Sequence, residues 1–101
     1  MKLRWTSRAR RDLLAISRYI ARDDPSAARQ WIERLRKRSR KAAATPLAGR
    51  VVPEIQRADI REVFVRTYRI VYRVHEDSID VLTVFEGHRL FDADTLSDSS
   101  D

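Results

Sequence analysis

Arginine side chains in the second half of the chain recur at positions that could together hold a phosphate group. They are Arg61, Arg69, Arg73 and Arg89. A nuclease that uses no metal places cations around the scissile phosphate and keeps a general acid or base close to it. These arginines could supply the cations of such a site.

Three side chains near those arginines could move a proton. His88 neighbours Arg89, and histidine titrates near neutral pH, whereas Tyr68 and Glu62 are further candidates. The alternative is that arginines on an exposed strand face only keep an open sheet soluble. The pattern by itself does not decide between these two interpretations.

Composition excludes several other kinds of site. The chain has no cysteine, so it offers neither a disulfide nor a thiolate ligand, and its two glycines cannot form a phosphate-binding loop. The two histidines, His75 and His88, do not have the spacing of metal ligands. We therefore expect neither a metal nor a cofactor.

The segment that would position the arginines is residues 68–74, in which apolar and polar side chains alternate with the period of a strand. Tyr68, Ile70, Tyr72 and Val74 share one face. The pattern predicts that this face packs on helices and that the other carries Arg69 and Arg73 into solvent. Replacing a solvent-exposed Arg69 with Ala would change stability by about 0.5 kcal/mol or less.

Two further strands are predicted around this one, at about residues 60–65 and 79–85. The three form an antiparallel meander with residues 68–74 in the middle. Residues 2–5 are predicted as a brief first strand, and residues 45–54, with two prolines and a glycine, as a loop that crosses to the sheet.

A helical hairpin is predicted between the first strand and the loop. Thr6 or Ser7 caps a helix to about residue 22, and Asp24 with Pro25 begins a second helix to about residue 43. The apolar seams of the two helices contain Leu13, Ile16, Ile20, Trp31, Ile32 and Leu35. We expect that a domain of 101 residues does not bury all of them, so that they bind a partner.

The charge of the chain is unevenly distributed. Residues 1–50 hold 15 Lys and Arg against 4 Asp and Glu, whereas residues 51–101 hold 6 against 11. Residues 34–41 contain six cations, among them Arg36 and Arg40. The helix macrodipole explains two or three of the six. The rest indicate either a docking surface for phosphates or carboxylates, as in a nucleic-acid-binding module, or a well-solvated helix.

From residue 3 to residue 90 the chain resembles the ParE/RelE family of toxins from bacterial toxin–antitoxin pairs. The resemblance is carried by the order and spacing of the following motifs rather than by any one of them. They are Trp5-Thr6-Ser7, Asp12-Leu13, Ile16, Tyr19-Ile20, Asp24-Pro25, Ala27-Ala28, Pro46-Leu47-Ala48-Gly49-Arg50, Arg61-Glu62, residues 68–74 and Gly87-His88-Arg89.

The resemblance implies an α+β fold, in which a short first strand and a helical hairpin pack on an antiparallel sheet. It also implies an antitoxin partner, whose C-terminal segment wraps the toxin in a hetero-oligomer. RelE-like members of the family cut mRNA in the ribosome, whereas ParE-like members poison DNA gyrase.

The departures from the nuclease branch favour ParE. Arg69 and Arg89 match its arginine positions, but the preceding strand has no lysine pair, and beyond Phe91 there is no Tyr, His, Lys or Arg. We therefore expect a gyrase poison that acts by binding and not as an enzyme. The alternative is a ribosome-dependent, metal-independent endoribonuclease that uses Arg61, Arg69, Arg89 and His88.

The residue patterns and the family resemblance together predict which parts of the chain bind the antitoxin and the target. The apolar seams are predicted to bind the antitoxin. The predicted target-binding residues are Arg69, Arg73, Arg89, Arg36 and Arg40. Residues 1–91 are predicted to form one domain and residues 92–101 a disordered acidic tail. Without an apolar run long enough to span a membrane or act as a signal peptide, the chain is expected in the cytoplasm.

Overall fold

The computed structural model describes residues 1–87, in which two helices pack on one face of a five-stranded sheet. The strands are β1 (Lys2–Trp5), β2 (Arg50–Val51), β3 (Ile60–Val65), β4 (Tyr68–Val74) and β5 (Ser78–Glu86). The helices are α1 (Ser7–Ala21) and α2 (Pro25–Ala44). The predicted elements are confirmed to within a few residues.

The sheet has the order β1-β5-β4-β3-β2, with β4 in the middle as the alternation of residues 68–74 predicts. The pairs β3–β4 and β4–β5 are antiparallel. Two details differ from the prediction. β1 pairs with β5 in parallel, so the sheet is mixed. The crossing loop contributes a two-residue edge strand, β2, because Arg50 and Val51 pair with Glu62 and Arg61.

Side-chain caps begin both helices where the sequence predicts. The Thr6 hydroxyl accepts a hydrogen bond from the Ala9 amide at 3.1 Å and donates to the Val81 carbonyl at 2.9 Å. Asp24 accepts from the Ala27 amide at 3.1 Å, and Pro25 occupies the first turn. Each cap satisfies an amide that the helix leaves without a partner. Thr6 in addition holds α1 against β5.

The core lies between the helices and one face of the sheet. It includes Leu13 and Leu35 from the helices and Ile70, Tyr72 and Val81 from the strands. Tyr72 is fully buried and donates a hydrogen bond to the Pro46 carbonyl at 2.6 Å. A Cβ at Gly49 would overlap this hydroxyl, so the crossing loop needs glycine there for space.

The opposite face of the sheet is also covered, which contradicts the prediction of an open face. The loop after β2 brings Val52 and Ile55 over the sheet, where they pack with Ile60, Val71 and Leu82. Arg69 lies beside this second cluster and is only 4% exposed. Strand alternation predicts which residues share a face, but it does not reveal whether a distant loop covers that face.

The predicted tail at residues 92–101 and the boundary at residue 91 lie outside the described residues. Within residues 1–87, neither helix is long and apolar enough to cross a membrane.

The burial of two core tyrosines, Tyr68 and Tyr72, should make the stability of the fold depend on pH in the alkaline range. Burial raises the pKa of Tyr72 above 10.0, although Arg61 and Arg38 oppose the rise. Burial also raises the pKa of Tyr68, and Glu86 adds to that rise. Because the folded-state pKa values exceed the unfolded ones, both phenols stabilise the fold below pH 10, and this contribution is lost as the pH rises through the raised values.

We therefore expect the free energy of unfolding to fall above about pH 10. Urea unfolding at a series of alkaline pH values measures this fall. Tyr72→Phe should make it shallower. Tyr19→Phe, at an exposed position on α1, should change it much less, since Tyr19 is only the smallest of the causes that raise the pKa of Tyr68. Equal pH dependence in all three proteins would contradict a role for the buried phenol.

Candidate functional site

The arginine predicted to face a target, Arg69, is held between two carboxylates. Its Nη1 and Nη2 atoms donate to the two oxygens of Glu54 at 2.8 and 2.9 Å. Its Nε atom donates to Oε1 of Glu62 at 2.6 Å. The guanidinium is therefore bound on two edges, and both partners carry the opposite charge.

Glu62 is itself shared between two arginines. It is 1% exposed, and its Oε2 atom accepts a hydrogen bond from Nε of Arg50 at 2.8 Å. We call Arg50, Glu54, Glu62 and Arg69 the ionic cluster. Two cations and two anions give it a formal charge of zero. The hydrogen bonds to Glu54 and then to Glu62 raise the pKa of Arg69, although its burial acts in the opposite direction.

Two aromatic rings flank the ionic cluster. The Arg69 guanidinium carbon lies 5.2 Å from the centre of the Phe85 ring, and that of Arg50 lies 5.2 Å from the centre of the Phe64 ring. Both distances are within the range of a cation–π contact. The Phe85 ring further limits the approach of a phosphate to Arg69, whereas the Arg50 side chain is 57% exposed.

Arg61, the second predicted phosphate ligand, also donates its side-chain hydrogen bonds within the fold, to backbone carbonyls. Nη1 donates to the carbonyls of Leu47 and Gly49 at 3.1 and 3.0 Å, and Nε donates to the Ala58 carbonyl at 2.9 Å. Arg61 thus ties the crossing loop to β3. His88 and Arg89, the remaining parts of the predicted nuclease site, lie outside the described residues.

The other predicted target-binding residues in the described part of the chain lie on α2 and on β4. Arg36 and Arg40 are exposed on α2, and Arg40 pairs with Glu33 at 2.9 Å. Arg73 on β4 is half-buried. The helices pack on the face of the sheet opposite to Arg69, so the α2 arginines do not share a surface with it. Arg73 lies four residues from Arg69 on the same face of β4.

A groove lies between α1, α2 and β1. Its volume is about 410 Å³, and we call it the helical groove. It is lined by Trp5, Arg10, Leu13, Leu14, Ser17, Ile32 and Arg36. The lining is mostly apolar, with one cation from each helix and Ser17 from α1. Leu14 is 51% exposed although it is a leucine, which marks this surface as one that a partner could cover.

The predicted antitoxin-binding residues divide into two groups. Leu13 and Leu35 belong to the core, and Leu35 is 0% exposed, so the fold uses its side chain for packing. Ile16, Ile20, Trp31 and Ile32 are half-buried. Trp31 packs edge-on against Tyr68, with 5.4 Å between ring centres. Among the six, the helical groove is lined by Leu13 and Ile32.

Local sequence patterns did not predict Trp5 and Leu14 in the groove or Glu54 in the ionic cluster. Leu14 gave a usable signal, because it lies one residue off the apolar stripe of α1 and so cannot face the same core as Leu13. Glu54 gave none, since its contact with Arg69 depends on how a loop folds.

Comparisons with known proteins agree with this fold. The family model of the ParE toxin of the type II toxin–antitoxin system parDE matches residues 3–91. A protein of Sinorhizobium fredii (strain NBRC 101917 / NGR234), which carries the name "Putative toxin Y4kP", is 36% identical over 93 residues. That match covers 87% of this chain and 90% of the other.

A solved structure described as the chromosomal ParDE TA system from P. aeruginosa has the same fold. Its chain superposes with a TM-score of 0.70 at 21% identity, over 85% of this chain and 95% of that one. Together with the family-model match, this fold, with two helices on one face of a five-stranded sheet, defines a toxin from a toxin–antitoxin pair. The chain belongs to the ParE family of type II toxins.

Proposed function

We propose that this toxin poisons DNA gyrase by binding it, and that a cognate antitoxin neutralises the toxin. The match to the parDE family model supports this proposal over the RelE-like alternative. The observation that carries it is the neutral ionic cluster around Arg69. An arginine that stabilises the transition state of phosphate cleavage must point its donors at the phosphate.

The ionic cluster opposes such a use of Arg69. A phosphate would have to displace Glu54 and Glu62, and Glu62 is buried. Breaking a buried pair by removing one partner costs about 3–5 kcal/mol, because the remaining charge is left uncompensated. Arg61 is likewise engaged by three backbone carbonyls. The described part of the chain therefore offers a phosphate neither of these two guanidinium groups at low cost.

Two assays on purified toxin test this function. We expect the toxin to inhibit supercoiling by gyrase, or to accumulate cleaved gyrase–DNA complexes, and to leave mRNA on translating ribosomes intact. We expect His88→Ala to leave toxicity largely unchanged, since a binding toxin needs no general acid or base. Ribosome-dependent cleavage that His88→Ala abolishes would instead assign the chain to the nuclease alternative.

The helical groove is the proposed binding site of the antitoxin. Trp5, Leu14 and Ile32 offer an apolar surface, and Arg10 and Arg36 place a cation on each helix beside it. An amphipathic antitoxin segment with apolar side chains and a few carboxylates would match both features. The Arg10 side chain is partly fixed, because Nη1 donates to the Trp5 carbonyl at 2.7 Å.

Charge should govern the rate at which the antitoxin arrives. The described helices are rich in arginine, and long-range attraction raises association rates more than affinity. We expect the association rate to fall several-fold between low salt and about 0.5 M salt, while the dissociation rate changes little. Stopped-flow mixing with the antitoxin measures both rates. An association rate indifferent to salt would remove the electrostatic part of this proposal.

A further inference from the structure

The outward side of α2 carries more cations than the fold or the helical groove uses. The exposed ones are Arg29, Arg34, Arg36, Lys37, Arg40 and Lys41, and we call them the α2 basic surface. α2 contains one carboxylate, Glu33, which pairs with Arg40. Of the six cations, only Arg36 lines the groove.

Helix stability does not explain this surface. The macrodipole favours cations in the last turn, where α2 has Lys41. Arg36 and Arg40, like Lys37 and Lys41, lie four residues apart and face each other along the helix. Each such pair of like charges destabilises a helix by about 0.2–0.5 kcal/mol. An anionic partner would relieve this repulsion.

The chemistry of the α2 basic surface distinguishes between kinds of anionic partner. The large hydrophobic side chains that are exposed in residues 1–87 are Met1, Leu14, Tyr19, Leu47 and Phe64. None of these lies on α2. A protein interface is anchored by apolar or aromatic side chains, whereas contacts to a nucleic-acid backbone require cations and hydrogen-bond donors. The α2 basic surface therefore fits phosphates better than an acidic protein segment.

A duplex fits better than a single strand. Single-stranded nucleic acids stack their bases on exposed aromatic rings. The aromatic residue of α2, Trp31, is half-buried, packs edge-on against Tyr68 and has the Arg34 guanidinium carbon 4.5 Å from its ring centre. Arg34 covers one face of this half-buried ring, so the ring is not an open platform on which a base could stack.

We propose that the α2 basic surface docks on the phosphate backbone of double-stranded DNA. α2 has 20 residues, so it is about 30 Å long, which is slightly less than one turn of a DNA duplex. The choice of DNA over duplex RNA rests on the proposed function, because gyrase acts on DNA. Contacts of this kind would hold the toxin on the DNA that gyrase has bound.

Binding of the toxin alone to a labelled DNA duplex, without gyrase, tests the docking. Fluorescence anisotropy over a series of salt concentrations gives the slope of log K against log salt, which is about −0.9 per phosphate contact. The test variant carries Arg29→Gln, Lys37→Gln and Lys41→Gln. These residues lie outside the groove, and glutamine keeps a similar helix propensity. Loss of three contacts should make the slope shallower by about 2–3.

The matched control removes the same charge from α1 and the residue that caps its C-terminus through Arg11→Gln, Arg18→Gln and Arg22→Gln, which are also exposed. It should keep the slope of the unmodified toxin. Equal loss in both variants would show an effect of net charge and overturn the proposal. Binding of a polyglutamate peptide as tight as that of the duplex would also overturn it. Both variants are then assayed with gyrase, so that failure of DNA docking and failure of gyrase poisoning give separate results.

Discussion

Replacement of Arg69 with Ala is expected to lower the free energy of unfolding by about 3–5 kcal/mol, several times the loss expected at an exposed position. The substitution would leave Glu62, which is 1% exposed, with Arg50 as its remaining partner in the ionic cluster. Natural domains are stable by about 5–15 kcal/mol, so this loss is a large share of the total. Urea unfolding of the purified variant measures it.

Arg57 provides the matched control for Arg69. It also forms two hydrogen bonds to one carboxylate, at 3.1 and 2.8 Å from Asp59, but its side chain is 51% exposed. Arg57→Ala should cost about 1 kcal/mol or less, as exposed ion pairs do. If Arg69→Ala cost no more than Arg57→Ala and abolished toxicity, Arg69 would be a target-binding residue after all, and the ionic cluster would not be what holds it.

Truncation of Leu35 is expected to have the second large effect. Leu35 is 0% exposed in the core between α2 and the sheet, and Leu→Ala at such positions costs about 2–5 kcal/mol. Unfolding by urea or heat gives the value. Any weaker binding of the antitoxin by Leu35→Ala should then follow from the smaller folded fraction.

Leu14→Ala separates partner binding from stability. Leu14 lines the helical groove and is 51% exposed, so its truncation should change the free energy of unfolding by about 0.5 kcal/mol or less. We expect the affinity for the antitoxin to fall about tenfold, which corresponds to about 1.4 kcal/mol. Calorimetry with the antitoxin measures this change. Unchanged affinity in Leu14→Ala would place the antitoxin outside the groove.

Local patterns determined the secondary structure of this chain. The alternation in residues 68–74 predicts β4, and Thr6 and Asp24-Pro25 predict where the two helices begin, because caps and strand periodicity depend on residues close in sequence. The tight turn at Arg66 and Thr67 also fixes the register of β3 against β4, in which Glu62 lies opposite Val71 and Phe64 opposite Arg69. Glu62 could therefore have been predicted on the same face as Arg69.

The tertiary structure determined whether each of those faces is buried in the core, paired with other side chains or exposed. Arg69 follows the alternation that predicts an exposed strand face, yet the loop after β2 covers that face and brings Glu54 to its guanidinium. Leu35 follows the same helical stripe as Ile32, yet one is in the core and the other lines a groove. In this protein the sequence determined which residues share a face of a strand or of a helix. Whether they meet solvent, a carboxylate or a core depends on segments far along the chain, whose packing local periodicity does not encode.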